Sequence, residues 1–447
     1  MKKSLIHMSI AGALVLASQV AWSGQPGQQG NNHFNTRAFY GDKVLDRVVV
    51  IDVHKMKEVG SVDTIGKTPY PVDQAGKLDK VYAITRNSPS VDVIRADNLH
   101  NLGVIDLNHK PRSGESYNAR LGLTLIAGAN KPQTSVIDVM NDMVVATAGD
   151  DIAYDDPSEM LDNGGTLASG HPAWLSKNRF VIIDRYERVI QLYGIKKVQD
   201  LNNKLDYNWK VKFLDEVATP TSVHHILHRD TSKLSQSEKR DFYALAEGSA
   251  KRGIHPSIIK IHLTKDDRLE FTGQINMDRF DPAEMSSHHA DFHPDGVHIY
   301  AGSTGEKEGH VFVINRISMD IKKVIKTGLG SGHTRFVPAR NLAIITNHKD
   351  SFLTVIDSHK HRKIKDVVVS DESMETQGQI KQSHTNYVSP DSMYYYAFAS
   401  DNGVFFELNL ESLKVSRTLE TGGAPVQGSF INWDYFSYDG DSAATGM

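Results

Sequence analysis

The stretch Ser331–Asp357, SGHTRFVPARNLAIITNHKDSFLTVID, decides the fold. It predicts three short strands, at His333–Val337, Leu342–Thr346 and Leu353–Asp357, with the polar segments PARN and NHKD between them. Strands of about five β-branched and aromatic residues, separated by clusters of Pro, Asn and Asp, are typical of an antiparallel meander. The stretch therefore predicts consecutive strands that pair with their neighbours in one sheet.

The same plan recurs along the chain, for example in VYAITRNSPSVDVI, HIYAGSTGEKEGHVFVIN and YYYAFASDNGVFFELNL. Each of these segments is a hydrophobic strand, a polar turn and a second strand. Seven copies span Tyr70–Leu107, His109–Thr147, Ser169–Leu214, Thr221–Ile275, Ser286–Thr327, Ser331–Val369 and Gln382–Glu420. A period of roughly 40–55 residues with four short strands per unit indicates the blades of a β-propeller. The predicted fold class is all-β, with a single propeller.

The two ends of the propeller sequence supply an eighth unit. The C-terminal segment GGAPVQGSFINW predicts an innermost strand, and FYGDKVLDRVVVIDVHKMKEVGSV predicts the outer strands of the same blade. Pairing these N- and C-terminal segments closes the ring and protects the edges that an open sheet would expose. We therefore predict eight blades, with seven as the alternative if one unit is miscounted.

The first residues have the pattern of an export signal. Lys2 and Lys3 precede the mostly apolar run Leu5–Val20, and small residues flank Trp22, so we predict a signal peptide over residues 1–23 that is cleaved near Ser23/Gly24. Residues 24–36 are rich in Gln, Gly and Asn and predict a flexible leader, followed by the propeller over residues 37–447. The apolar run is short for a membrane span, so we expect a periplasmic protein with no retained membrane segment.

Composition excludes several classes of site and partner. The chain has no cysteine, which removes thiolate metal sites, covalent haem attachment through a CxxCH motif and thiol catalysis. Its formal net charge is −4, and no basic arm or charge run is present. We therefore expect no nucleic-acid partner. The compositional peculiarity is the presence of 21 histidines.

Five histidines share one position in five consecutive blades, near the start of the first strand. They are His171, His225, His289, His333 and His384, with spacings of 54, 64, 44 and 51 residues. Because the innermost strands of a propeller line its central channel, we expect these five imidazoles to converge on one cavity. A single histidine in such a repeat is more often a packing residue. Five at one register favour a metal site instead.

Other residues near this position are possible additional ligands. His224 and His288 are sequence neighbours of two of the five, and regular strand alternation predicts that they point to the opposite face. Glu115 and Asp291 could orient an imidazole through its second nitrogen. The remaining histidines are expected in solvated turns or outer strands: His255, His262, His298, His310, His348, His359 and His361.

Neutral imidazole binds zinc, copper and nickel, and three or four imidazoles satisfy a tetrahedral or tetragonal site. The expected cofactor is therefore Zn or Cu, and the sequence does not decide between them.

The recurring pattern of strand, Asn/Asp/Gly turn and strand ending near Ile-Asp resembles the periplasmic YVTN-type propellers, which are related in plan to the d1 domain of cytochrome cd1. Within that group the chain is similar to the periplasmic zinc metallochaperones of ABC zinc importers, although it lacks their His-rich N-terminal segment. This resemblance implies a metal carrier that works with a periplasmic transport component.

Two further functions remain open. The paired histidines resemble the copper-cluster sites of nitrous oxide reductase and thiocyanate dehydrogenase, which implies a copper-dependent periplasmic oxidoreductase. The d1-like plan implies a haem d1-type binding or assembly protein, in which one channel histidine is an axial ligand.

Overall fold

Thirty-two strands build the protein, whose computed structural model describes residues 35–74, 78–153, 166–199, 207–227, 238–281, 285–304, 308–370 and 381–433. All of these residues belong to one compact unit, Phe34–Met447. The strands form eight four-stranded antiparallel sheets, which are the eight blades of a β-propeller. The predicted all-β class and the count of eight blades are confirmed, and the seven-blade alternative is excluded.

Blade 1 combines strands from both ends of this unit, and the next three blades follow in chain order. Blade 1 contains β1 (Thr36–Asp42), β2 (Arg47–Asp52), β3 (Lys57–Asp63) and β32 (Pro425–Asn432). Blade 2 contains β4 (Pro69–Gln74), β5 (Lys80–Thr85), β6 (Ser90–Arg95) and β7 (Asn101–Asp106). Blade 3 contains β8 (Pro111–Asn118), β9 (Leu123–Gly128), β10 (Gln133–Asp138) and β11 (Met143–Gly149). Blade 4 contains β12 (Ala173–Ser176), β13 (Arg179–Asp184), β14 (Val189–Gln199) and β15 (Tyr207–Ala218).

The other four blades repeat the same order, from the innermost strand outward. Blade 5 contains β16 (Val223–Ile226), β17 (Asp241–Ala246), β18 (Ser257–Leu263) and β19 (Leu269–Asn276). Blade 6 contains β20 (Ser286–Phe292), β21 (His298–Thr304), β22 (Gly309–Asn315) and β23 (Asp320–Thr327). Blade 7 contains β24 (Ser331–Val337), β25 (Leu342–Asn347), β26 (Phe352–Asp357) and β27 (Arg362–Val368). Blade 8 contains β28 (Gln382–Val388), β29 (Tyr394–Ala399), β30 (Val404–Asn409) and β31 (Lys414–Glu420).

The ring closes within blade 1, as the sequence predicts. β32 is the innermost strand there and pairs antiparallel with β1, so that Phe39 lies opposite Ser429. The closing blade packs on blade 8 through aromatic rings, including Tyr40 against Phe398 at 4.7 Å between ring centres. Each fully buried ring of this kind stabilises the fold by about 1.5–3 kcal/mol. β1 begins at Thr36, one residue before the predicted start of the propeller.

Hydrophobic packing between neighbouring blades forms the core. One cluster joins blades 7 and 8, where Ile344 and Val355 pack with Tyr395 and Phe406, all of them fully buried. The two middle strands of each blade supply most of these side chains, since both of their faces are covered by neighbouring blades. This packing leaves the innermost strands to line the channel.

The innermost strands are irregular close to where they begin. Register shifts interrupt the pairing between Val223 and His225 in β16, between Ser287 and Ala290 in β20, and between Ser331 and Thr334 in β24. A similar shift occurs in β28. β-Bulges of this type re-aim side chains and break the strict alternation of faces. We call the face on which the innermost strands begin the upper face, and the opposite face the lower face.

Helical structure is nearly absent from the described ranges, which contain short 3₁₀ turns such as Glu238–Arg240. Within these ranges, no helix has the length and apolar character that crossing a membrane requires. The predicted signal peptide, and the predicted leader up to residue 34, lie outside the described residues.

Candidate metal centre

A cavity of about 340 Å³ opens in the channel near the upper face. Seven histidines line it: His171, His224, His288, His289, His333, His348 and His384. They come from five consecutive blades, so the innermost strands do bring distant histidines together. Of the five histidines at the shared register, four line this cavity. The fifth, His225, lies directly behind it and stacks on the ring of His289 at 4.1 Å between ring centres.

Four of these histidines form the tightest group, which we call the channel tetrad. Each of the four offers one ring nitrogen, and these four nitrogens all lie within 4.8 Å of one another: the tetrad is His288, His333, His348 and His384. Ligand nitrogens in a tetrahedral zinc site are about 3.3 Å apart, as follows from bonds of 2.0–2.1 Å. Small side-chain rotations would therefore bring the four nitrogens to a single ion.

The environment of His333 is the clearest sign that the tetrad is built for a ligand. The side chain is buried, and neither Nδ1 nor Nε2 has a hydrogen-bond partner among the described residues. An unsatisfied buried polar group costs about 1–3 kcal/mol. A metal ion bound to one of the two nitrogens would recover part of this cost.

Two other tetrad members are oriented through their second nitrogen. Nδ1 of His348 donates to the carbonyl oxygen of Gln382 at 3.0 Å, and Nε2 of His348 is buried without a partner among the described residues. Nδ1 of His384 is hydrogen-bonded to the hydroxyl of Tyr70 at 3.0 Å. A partner on one ring nitrogen fixes the tautomer of a metal ligand and directs its other nitrogen to the ion. Both rings have this arrangement, with Nε2 as the available ligand atom.

The tetrad imidazoles are neutral at pH 7. Burial, and then the neighbouring His289 and His384, hold the pKa of His333 well below its usual value. Burial followed by nearby histidines does the same to the pKa of His288 and of His384. For His348, burial lowers the pKa to about 4. The nitrogen lone pairs are therefore available without first losing a proton, which metal binding requires.

The expectation that His288 points away from His289 was wrong, and in the pair His224 and His225 it is His224, not His225, that lines the cavity. His288 and His289 both line the cavity, and His224 also does. The cause is the bulge near the start of each innermost strand, because an extra residue there lets two consecutive side chains face the same side. The rule that consecutive side chains alternate between the two faces holds only in a regular strand.

The remaining predicted residues lie around the tetrad. Nδ1 of His289 is 3.3 Å from Oδ2 of Asp291, which also accepts a hydrogen bond from the backbone N–H of Thr334 at 2.9 Å. Asp291 therefore orients His289 and ties blade 6 to blade 7. His171 contacts His224 at 4.9 Å between ring centres. The side chain of Glu115 lies outside what the structure describes.

His348 is the tetrad member that the sequence analysis missed, because we expected it in a solvated turn. It does lie in a turn, between β25 and β26, but it is buried. The blade topology could have indicated that this turn is near the channel. In an up-and-down blade the second strand returns to the face where the first one begins, so the following turn lies beside the channel opening. Of the seven histidines expected to be solvated, only His359 is exposed, and His310 is buried like His348.

Positively charged side chains also line the cavity. Arg112 is buried, Arg86 is half-buried and lies 3.9 Å above the ring of Tyr70, and Lys349 is exposed at the opening. Among the described lining residues none is acidic. A divalent ion held by four neutral imidazoles would keep its charge in this cavity. The electrostatic environment therefore favours an additional anion beside the ion.

Gly332 packs against His348 and limits where its imidazole can lie. A substitution at Gly332 therefore tests the role of the tetrad without replacing any of the four histidines. A Cβ atom on Gly332 would lie 2.3 Å from Nε2 of His348. We expect Gly332→Ala to displace the flexible imidazole, lower metal affinity by at least about tenfold, and leave the unfolding midpoint nearly unchanged. The measurement is competition with a metal chelator. Gly273→Ala is the control, because a Cβ there meets only ordinary contacts in an outer strand. Equal affinities for the two variants would contradict the assignment of His348.

No protein-family model matches the sequence. No curated protein matches it either. Solved structures with a similar fold include the dihydro-heme d1 dehydrogenase NirN in complex with DHE, with a TM-score of 0.60 and 12% identity over 90% of this chain and 75% of that one. AztD from Citrobacter koseri has a TM-score of 0.57 and 12% identity over 89% of this chain and 97% of its own.

Sqt1 from Saccharomyces cerevisiae is similar to about the same degree, with a TM-score of 0.59 and 10% identity over 87% of this chain and 89% of that one. At these identities the likeness shows the fold alone. It agrees with the propeller fold that the sequence predicts, and a shared fold does not by itself determine the function.

Proposed function

We propose that the protein binds a transition-metal ion in its channel through His288, His333, His348 and His384, and that it carries this ion in the periplasm. The observation that supports the proposal is the convergence of four imidazole nitrogens within 4.8 Å of one another. Three of the four side chains are buried. Both ring nitrogens of His333 and Nε2 of His348 have no hydrogen-bond partner among the described residues, which is unfavourable unless a ligand compensates.

The donor set agrees better with a carrier than with a catalytic centre. Four histidines complete a tetrahedral shell, whereas catalytic zinc sites keep one position open for water or substrate. A carrier also has to release its ion. The opening of the cavity near the exposed Lys349 gives the ion a route to the upper face. We infer that a periplasmic transport component receives the ion there.

The chemistry of the ligands limits the ion to a few metals. Imidazole suits Zn, Cu, Fe and Ni, and a shell of neutral nitrogen donors without carboxylate excludes the hard cations Mg and Ca. Copper binds such a shell most tightly in the Irving–Williams order, and zinc has no geometric preference that would oppose a tetrahedral shell. Zn and Cu therefore remain the proposed ions.

A copper-dependent oxidoreductase is the second candidate, and a specific observation favours it. Three more histidines line the same cavity beside the tetrad: His171, His224 and His289. Seven imidazoles exceed the need of one ion, so a cluster of several copper ions has enough ligands. Arg86, Arg112 and Lys349 would then attract a small anionic substrate. A haem d1 site would use only one or two of these imidazoles and leaves the tetrad without a purpose.

Metal content distinguishes the two candidates. We expect protein produced with its own export signal and purified from the periplasm to hold at least one zinc or copper ion per chain. A colourless zinc protein supports the carrier. Several copper ions per chain with strong visible absorption support the oxidoreductase. Protein that stays metal-free after exposure to both Zn²⁺ and Cu²⁺ would contradict both functions.

A further inference from the structure

A second group of imidazoles lies at the lower face, far from the channel tetrad. His293 directly follows β20, His298 begins β21, and His361 lies in the turn between β26 and β27, with the carboxylate of Asp295 among them. We call these four residues the rim cluster. His288 and His293 are five residues apart at opposite ends of β20, which corresponds to roughly 16 Å of extended strand.

Three residues of the rim cluster, His293, Asp295 and His298, each offer one ligand atom, and these atoms lie within 4.8 Å of one another. Oδ2 of Asp295 is 2.6 Å from Nδ1 of His298 and 3.1 Å from Nδ1 of His293. The ring centre of His361 is 4.8 Å from that of His298 and 5.5 Å from that of His293. Ligand atoms around a tetrahedral zinc ion are about 3.3 Å apart, so an opening of less than about 1 Å at Asp295 would accommodate an ion.

The hydrogen bonds of His293 make one of these contacts unfavourable without a cation. Nε2 of His293 donates to the carbonyl oxygen of Ser358 at 3.2 Å, and Nδ1 accepts from the backbone N–H of Asp295 at 3.1 Å. Nδ1 of His293 therefore carries a lone pair rather than a proton. Its approach to Oδ2 of Asp295 brings two electron-rich atoms together. A positive ion between these two atoms would turn a repulsive contact into an attractive one.

The supporting contacts also hold the other ligands in place. Oδ1 of Asp295 accepts from the backbone N–H groups of Val297 and His298, and Oδ2, which is hydrogen-bonded to Nδ1 of His298 at 2.6 Å, is the oxygen that faces the imidazoles. Nδ1 of His361 is hydrogen-bonded to the hydroxyl of Tyr300 at 2.7 Å, so its Nε2 is the available nitrogen.

We propose that the rim cluster is a second metal site, in which His293, His298, His361 and Asp295 bind a borderline divalent cation of the zinc type. Three nitrogens and one carboxylate oxygen match the ligand preference of such an ion. His361 belongs to blade 7, and the other three ligands belong to blade 6. The bound ion therefore joins two blades at the lower face, and its role is to stabilise the propeller independently of the ion in the channel.

The test uses full-length, chelator-treated protein in which the channel site is disabled by His348→Ala and His384→Ala. We expect this variant to bind one equivalent of Zn²⁺ in a calorimetric titration and to unfold at a higher temperature when the ion is bound. Adding Asp295→Asn should lower the Zn²⁺ affinity at least about tenfold, because the amide keeps the oxygen that caps the turn but loses the negative charge. Adding His298→Ala should have a similar effect.

A matched control is the His262–Asp241 pair, in which Nδ1 of His262 lies 2.7 Å from Oδ1 of Asp241. His262→Ala removes a histidine from a His–Asp pair in blade 5 and should leave Zn²⁺ binding unchanged. Two results would overturn the proposal: no Zn²⁺ bound by the channel-disabled variant, or binding that is indifferent to both Asp295→Asn and His298→Ala. A failure of the channel proposal is distinguishable, because the wild-type and the channel-disabled protein would then bind equal amounts of metal.

Discussion

Replacing His333 with leucine is expected to weaken channel metal binding by at least about 100-fold and to raise the stability of the metal-free protein by about 1–3 kcal/mol. Most substitutions of buried residues destabilise a protein, so a gain in stability is an unusual expectation. It follows from the two ring nitrogens of His333, which are buried without hydrogen-bond partners among the described residues.

The physical reason is the difference between a satisfied and an unsatisfied polar group. In the metal-free protein the imidazole of His333 has lost its hydration and gained no protein hydrogen bond in return. A leucine of similar size removes that cost and adds apolar contact. In the metal-bound protein the same nitrogen is a ligand, so the substitution removes a favourable interaction. The sign of the effect on stability therefore depends on whether the ion is present.

His109 provides the matched control for this prediction. It is equally buried, but Nε2 lies 2.9 Å from the hydroxyl of Ser135 and Nδ1 lies 3.2 Å from the carbonyl oxygen of Lys110. His109→Leu should therefore destabilise the protein by about 1–3 kcal/mol and leave metal affinity unchanged. Denaturant unfolding in the presence of a chelator measures both variants. A loss of stability in His333→Leu equal to that of the control would show that His333 is an ordinary packing residue.

The sequence predicted the fold because the fold depends on local, repeated signals. Hydrophobic strands of about five residues and polar turns recur once per blade, and the closing pair of β1 and β32 could be recognised because each end matches part of one repeat. Each signal requires only neighbours in the chain. The blade count follows from adding them along the sequence.

The proposed ligand set was predicted only in part, because it depends on geometry that a strand pattern does not contain. His333 and His384 were identified from their shared register, and His288 was considered but assigned to the wrong strand face. The bulge in β20 decides that face, and alternating hydrophobicity cannot reveal a bulge. His348 was missed because it reaches the channel from a turn.

The histidines of the tetrad and the histidines at the shared position of the five blades are only partly the same residues. We therefore expect substitutions in the two sets to have very different effects on metal affinity. Replacing His348 and His384 together with alanine should reduce the affinity of the channel for its metal ion by at least about 10⁴-fold, if each lost ligand costs at least about 10²-fold. Replacing His225 and His289 together should change that affinity by less than about tenfold. Both double variants remove two histidines from neighbouring blades, so they are matched in composition and in burial.

The reason for the difference is the use of the ring nitrogens. Nε2 of His225 donates to the carbonyl oxygen of Ala290 at 3.1 Å, and its Nδ1 lies 3.2 Å from Nδ1 of His224. His225 therefore has no nitrogen directed at the tetrad, and His289 is not a member of the group of four whose ring nitrogens lie within 4.8 Å of one another. Chelator competition with Zn²⁺ and with Cu²⁺ measures the affinity of each variant. The prediction is contradicted if the loss of His225 and His289 lowers the metal affinity as much as the loss of His348 and His384. The ion would then be bound by the histidines at the shared position of the five blades, and the tetrad rings would be close to one another without binding a metal.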